Sequence, residues 1–232
     1  MRSLITLLPV LFATGLATNV SSSSCDPSTL NNTSYLYPIT TPNTTLFSIA
    51  ATTNRGVCDI GRQNLMADVT IIPNVGQQIL IPPETCHPDN DSCLLPNITR
   101  TRTCVSGGPR NYYTVNGDTY EIIARRLNIT TESLTAMTLG DEAAGPNNRL
   151  SPGQFIKVPL CEPSQCAIQP YKFTWGVYKD LAEKFGATVG QIMMLSPTYN
   201  YSSLAFSPGG SFPPISVLVN CTELSGNITV LS

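Results

Sequence analysis

The chain has 232 residues with 13 basic against 15 acidic side chains, a formal charge of −2, and only 12% of its residues are charged. Such a surface has no electrostatic reason to seek nucleic acid or an anionic membrane. The 8 cysteines and the single histidine, His87, leave little material for metal or triad chemistry.

Arg2, then the apolar run Leu4 to Leu16 and small residues up to Ala17, predicts a secretory signal peptide over 1–17. Cleavage is expected after Ala17, with Ala13 as the alternative. Without Arg2, 12 basic residues face 15 acidic ones, a charge of about −3. No later run of some eighteen apolar residues offers a membrane span, and the tail 222–232 lacks the apolar stretch of a lipid-anchor signal. An even cysteine count in an exported chain predicts four disulfides among Cys25, Cys58, Cys86, Cys93, Cys104, Cys161, Cys166 and Cys221. Asn-x-Ser/Thr occurs at Asn19 and, in the mature region, at Asn31, Asn32, Asn43, Asn90, Asn97, Asn128, Asn200, Asn220 and Asn227. These are the candidate N-glycosylation sites.

A first unit is expected over 35–86. Leu46, Ile49 and Ala50 make one helical face, and Asp59 is a candidate cap for a second helix. Pro73 to Gly76 reads as a turn and Gln78 to Pro82 as a strand. The segment 87–111, rich in Pro, Asn, Thr and Ser, reads as a linker, with His87 a solvated linker residue.

A second unit, 112–161, carries the clearest signal. Tyr113 to Tyr120 alternates and then turns at Asn116-Gly117, so a strand is expected to end there. Tyr120, Ile123, Ala124 and Leu127 follow at helical spacing, with Asp118 or Thr119 as N-cap. Thr130 can cap a second helix bearing Leu134 and Met137. Ser151 to Gln154 supplies turn chemistry and Phe155 to Pro159 a closing strand. After a short linker, 162–170, a third unit spans 171–221. Tyr178, Leu181, Ala182, Phe185, Thr188, Ile192 and Leu195 follow their counterparts in the second unit at a constant offset of 58 residues. Agreement in chemical class at all of them is an internal-repeat signal. The strand Ile215 to Val219 closes this unit, and 222–232 reads as a tail.

Tyr113-Thr114-Val115-x-Gly117-Asp118-Thr119 within a strand–helix–helix–strand order resembles a LysM module. The whole mature chain is similar to secreted fungal effectors with three such modules, through Cys86 to Cys93, Thr103-Cys104-Val105 and Pro159 to Cys166. The implied fold class is α+β, two helices on a two-stranded antiparallel sheet in each module, stapled by disulfides. The first module is divergent: Thr41 to Thr45 stands where the second has Asn116 to Thr119. In the third, Val177 replaces the Asp.

The resemblance implies binding of chitin and other N-acetylglucosamine oligomers, with no cofactor and no metal. Backbone amides of two facing loops would satisfy the acetamide, and an apolar side chain would cover its methyl. By position, these loops are Pro42, Asn43, Thr44, Thr45 and Leu46 with Asp68, Val69, Thr70, Ile71 and Ile72 in the first module. In the second they are Gly117, Asp118, Thr119 and Tyr120 with Asn147, Asn148, Arg149 and Leu150. In the third they are Trp175, Gly176, Val177 and Tyr178 with Thr198, Tyr199, Asn200, Tyr201, Ser202, Ser203 and Leu204. Trp175 could serve either sugar or packing, whereas the helical stripe favours core for Tyr120 and Tyr178. Asn43 and Asn200 are sequons inside candidate loops, where a glycan would obstruct the groove. If first and last strands pair as in the family, Cys104–Cys161 and Cys166–Cys221 are favoured. Cys25–Cys86 with Cys58–Cys93 is the preferred remainder, and bridges between modules stay open.

In the family the first and third modules can close on one oligomer. Effective concentration then raises avidity by ~10²–10⁴. The implied location is extracellular, in the host apoplast or the fungal wall, and chitin-induced self-association is conceivable if one module stays free. A wall-coating protein or a peptidoglycan binder would need the same groove. A glycosidase would need two carboxylates about 5–10 Å apart, but the acidic residues fall in caps, linkers and helix faces, so no enzyme is expected.

Overall fold

The computed structural model describes residues 25–97, 99–137, 145–195, 214–223 and 229–231. The expected signal peptide, the loop Thr198 to Leu204 and the sequons Asn19, Asn200 and Asn227 lie outside them. After a 3-10 turn at Pro27–Thr29 come β1 (Tyr35–Pro38), α1 (Leu46–Thr53), α2 (Val57–Gln63) and β2 (Gln78–Ile81). Next are β3 (Val105–Ser106), β4 (Asn111–Tyr113), α3 (Tyr120–Leu127), α4 (Thr131–Thr135), β5 (Phe155–Lys157) and β6 (Leu160–Glu162). The chain continues with β7 (Ser164–Tyr171), α5 (Tyr178–Phe185), α6 (Val189–Leu195), β8 (Ile215–Glu223) and β9 (Thr229–Leu231).

Three strand–helix–helix–strand units follow one another, and in each the outer strands pair antiparallel: β1 with β2, β4 with β5, and β7 with β8. Caps define the helices. Thr45 caps α1 in a reciprocal box with Ser48. Thr119 caps α3 by accepting from Ile122 N, and Thr130 caps α4 by accepting from Ser133 N. Asn64 ties α2 to β2: its Nδ2 donates to Ile60 O and Leu80 O, and its Oδ1 accepts from Leu80 N.

Several expectations require correction. Gly56, not Asp59, stands at the N-cap of α2; Asp59 lies inside the first turn and accepts from Asp89 N at 3.0 Å. The second unit's first strand ends at Tyr113, not beyond it, because the chain turns to bring Asp118 Oδ2 to Val115 N. The linker 162–170 is mostly β7, held by its long pairing with β8 and by Cys166–Cys221. The linker 87–111 includes β3, which pairs parallel with β6. The tail 222–232 completes β8 and adds β9 antiparallel to β6. These strands were missed because their partners are distant in sequence and no local pattern marks them.

The four disulfides are Cys25–Cys86, Cys58–Cys93, Cys104–Cys161 and Cys166–Cys221, the pairs favoured from the sequence. Two cores form. The first unit's contains Leu46, Ile49, Ile60 and Ile79, with Val177 of the third unit inserted. The second and third units share the other, around Ile123, Leu127, Tyr178, Ile192 and Met193, joined by Leu65, Ala67 and Ile71 of the first. The units are therefore not independent beads.

Candidate functional site

The Asp of the Gly117-Asp118-Thr119 motif is fully buried. Its Oδ2 accepts from Val115 N at 2.8 Å, closing the turn, and its Oδ1 accepts from Arg126 Nη1 at 2.5 Å. Gly117 sits at φ +96°, a conformation side chains disfavour, and lets the chain pass against Ile72. Arg126, also buried, donates to Asp68 Oδ2 at 2.7 Å, Thr70 Oγ1 at 3.1 Å and Tyr112 Oη at 2.7 Å. The Tyr112 hydroxyl in turn donates to Met193 Sδ. One guanidinium thus joins loops of the first and second units, and through Tyr112 it reaches the third.

Burial alone would raise the Asp68 carboxyl, but Arg126 and the Thr70 hydrogen bonds outweigh it and hold it below its ordinary value. Burial likewise pushes the Tyr112 hydroxyl well up. For Arg126 burial works against the charge, yet Tyr112, Asp118 and Asp68 keep it firmly protonated.

The structure brings the candidate loops of the first two units together crosswise. Ile72 N donates to Asn116 O, and Asn116 Nδ2 donates to Ile72 O. Across the other edge, Arg149 Nη1 donates to Asn43 Oδ1 at 2.7 Å. Within the second unit the two loops are bonded to each other, Leu150 N to Asp118 O at 2.8 Å.

The third unit's loop docks elsewhere. Gly176 N donates to Arg62 O, and the Arg62 guanidinium grips Asp180 through Nε and Nη2, both at 3.0 Å. Arg62 also bonds Asp89 and Ser92, and Lys179 Nζ reaches Ser92 O. Asp180 Oδ2 accepts from Val177 N, so it does at the helix start what Asp118 does in the second unit. The Asp180 bond keeps Arg62 charged against its burial. The Arg62 guanidinium lies 5.5 Å from the centre of the Trp175 ring, which is 63% exposed.

Of the expected contact residues, Pro42, Asn43, Asn147, Asn148, Arg149 and Trp175 are exposed, while Thr44, Thr45, Thr70, Gly117, Tyr120 and Leu150 are half-buried. Leu46, Asp68, Val69, Ile71, Ile72, Asp118, Thr119, Gly176, Val177 and Tyr178 are buried, in the cores or in seams between units, and could meet a ligand only through backbone. Tyr178 packs edge-on against Phe173. Sequence reasoning missed Arg126, Arg62 and Asp180. The one available signal was Asp180: the offset of 58 residues sets Gly176 opposite Asp118 and Val177 opposite the Thr119 cap, so the third unit lacks the motif's Asp and carries one three residues after its own cap position instead.

Among the described residues no cluster of His, Cys, Asp and Glu could hold a metal ion, and no helix is long and apolar enough to cross a membrane.

The LysM domain family matches residues 112–159, the second unit. The secreted LysM effector LysM13 of Penicillium expansum is 41% identical over 214 residues, covering 91% of this chain and 90% of that protein. The secreted LysM effector ECP6 of Passalora fulva is 38% identical over 162 residues, 69% of each chain. The secreted LysM effector ELP2 of Colletotrichum higginsianum is 44% identical over 117 residues, 50% of this chain and 62% of that one. With a LysM domain at its centre and such a relative matched along nearly its whole length, the chain belongs to the family of secreted fungal LysM effectors.

Proposed function

We propose that the protein is a secreted, non-catalytic chitin-binding effector with three LysM modules, 35–86, 112–161 and 171–221. It keeps N-acetylglucosamine oligomers from host receptors, with the first and third modules sharing one oligomer. The relatives' names support the effector role. The repeated strand–helix–helix–strand order supports extending the LysM reading from 112–159 to the flanking units. One observation carries the module pairing: Trp175 stands exposed on the third module's loop, held against the first by Arg62. An aromatic face fixed this way suits the apolar face of a neutral sugar.

A second reading pairs the first and second modules. It is favoured by the crosswise contacts Asn43–Arg149 and Ile72–Asn116, which set their loops face to face. An oligomer entering there must part the loops. A protein that coats hyphal chitin would use the same surfaces, and protection of hyphae from chitinase distinguishes that role from sequestration.

Calorimetric titration with chitin hexamer, beside cellohexaose and a peptidoglycan fragment, tests the reading. Binding is expected for the chitin oligomer alone, at one oligomer per chain. Trp175→Ala should weaken it by roughly tenfold or more, as loss of an aromatic anchor does, and Arg149→Ala should leave it nearly unchanged. The reverse pattern would favour the second reading, and silence toward every glycan would sink the carbohydrate assignment.

A further inference from the structure

The segment 88–93 lies in the stretch expected as a linker, yet it is tied to the start of α2. Gly56, the N-cap of α2, has no side chain to satisfy the first turn. The segment supplies the acceptors instead: Cys58 N donates to Asp89 O at 2.9 Å, and Val57 N donates to Asn90 Oδ1 at 3.1 Å. Asp89 N donates back to Asp59 Oδ2, and Cys58–Cys93 staples the far end. We propose that Asp89, backed by Ser92, is a positioning residue for the sugar site: it aims the Arg62 guanidinium that steadies Trp175, and touches no sugar itself. The inference rests on the reading that Trp175 meets the oligomer.

Arg62 leaves the last turn of α2 on a long side chain with many rotamers. Asp180 holds its Nε–Nη2 edge, but Asp180 belongs to the third unit and would move with it. Asp89 belongs to the frame of the first unit and takes the other end. Nη1 donates to Asp89 Oδ2 at 2.7 Å, and Nη2 donates to Ser92 Oγ at 2.9 Å. A planar guanidinium held at both ends has one orientation left. In that orientation its carbon stands 5.5 Å from the centre of the Trp175 ring, a cation set over the indole. The guanidinium takes one side of the ring and leaves the exposed remainder to a sugar.

Asp89 is itself fixed. Its Oδ1 accepts from Asp91 N at 3.1 Å and Ser92 N at 3.0 Å, and its Oδ2 accepts from the Ser92 hydroxyl. Burial would raise its carboxyl, but the Ser92 and Asp91 bonds and Arg62 outweigh it and hold it well below the ordinary value. The Arg62 and Asp89 side chains are only 12% and 29% exposed, so water screens this pair less than it screens a surface bridge. Ser92 O accepts from Lys179 Nζ on α5 at 2.7 Å, so the segment reaches the third unit directly as well.

Trp175 is the single tryptophan, and its fluorescence therefore reports this site alone. In the full wild-type chain its anisotropy should decay with tumbling of the whole molecule. Asp89→Asn should add a fast local decay and weaken chitin-hexamer binding by roughly tenfold, the effect of one charge-assisted hydrogen bond. A double-variant cycle read by calorimetry separates positioning from a merely structural role. In a Trp175→Ala chain, adding Asp89→Asn should cost no further affinity, because Asp89 acts through the indole. Fast local decay in the wild type overturns the proposal whether or not any variant folds. Losses that multiply in the double variant overturn it as well. If the wild type ignores chitin, the glycan reading fails and this inference falls with it. If the wild type binds and a folded Asp89→Asn chain binds equally well, this inference alone fails.

Discussion

Arg126 occupies a position that no helical pattern singles out, two residues before the C-cap of α3, yet it is buried with three oxygen partners besides Asp118. Removing one partner of a buried ion pair strands the other, at roughly 3–5 kcal/mol. Asp68→Ala should therefore lower unfolding free energy by about that amount, measured by denaturant titration. The same pair sets an acid limit. The folded-state pKa of Asp68 lies below its ordinary 3.8, so its contribution is complete above 3.8 and disappears as pH falls through the lower folded value. Unfolding midpoints recorded across this range should drop for the wild type and fall less steeply for Asp68→Asn. Asp118 was legible as part of a Gly-Asp-Thr turn, but its bond to Arg126 was not, because helix period says nothing about which polar residue a neighbouring unit will cover.

The helices were legible where side chain and backbone settle the matter locally. Thr119, Thr130 and the stripe Ile123, Ala124, Leu127 lie as local chemistry requires. Thr119→Ala should cost about 1 kcal/mol by leaving the Ile122 N–H without its acceptor. Thermal unfolding of that variant checks this, and an unchanged midpoint would mean solvent replaces the cap. The short strands were less legible. β3, β6 and β9 have only two or three residues each and are defined by pairing with one another, and β7 became visible only with β8 beside it. In β-structure, stability lies in contacts between segments rather than within them.

At the scale of the molecule, each disulfide staples its own small unit, and shared cores and close approaches turn the three units into one body. Units of this size bury too little surface to be secure alone, and the four bridges offset this. Gly190 on α6 lies so near α3 that a Cβ there would come within 2.5 Å of Leu127 Cδ2. Gly190→Ala should cost roughly 1–3 kcal/mol through overpacking, and limited proteolysis should show the second and third units loosened together.

By itself, the sequence determined the cysteine framework and the repeated strand–helix–helix–strand order. These rest on composition, spacing and local capping, which act over a few residues. The tertiary structure alone decided which candidate loops stay open. Asp68, Ile71 and Ile72 are buried against the second unit and Val177 in the first unit's core, while Trp175 remains at the surface. The physical reason is that burial of a loop depends on the unit packed over it. Arg62 and Arg126 fix that packing through partners up to 118 residues away.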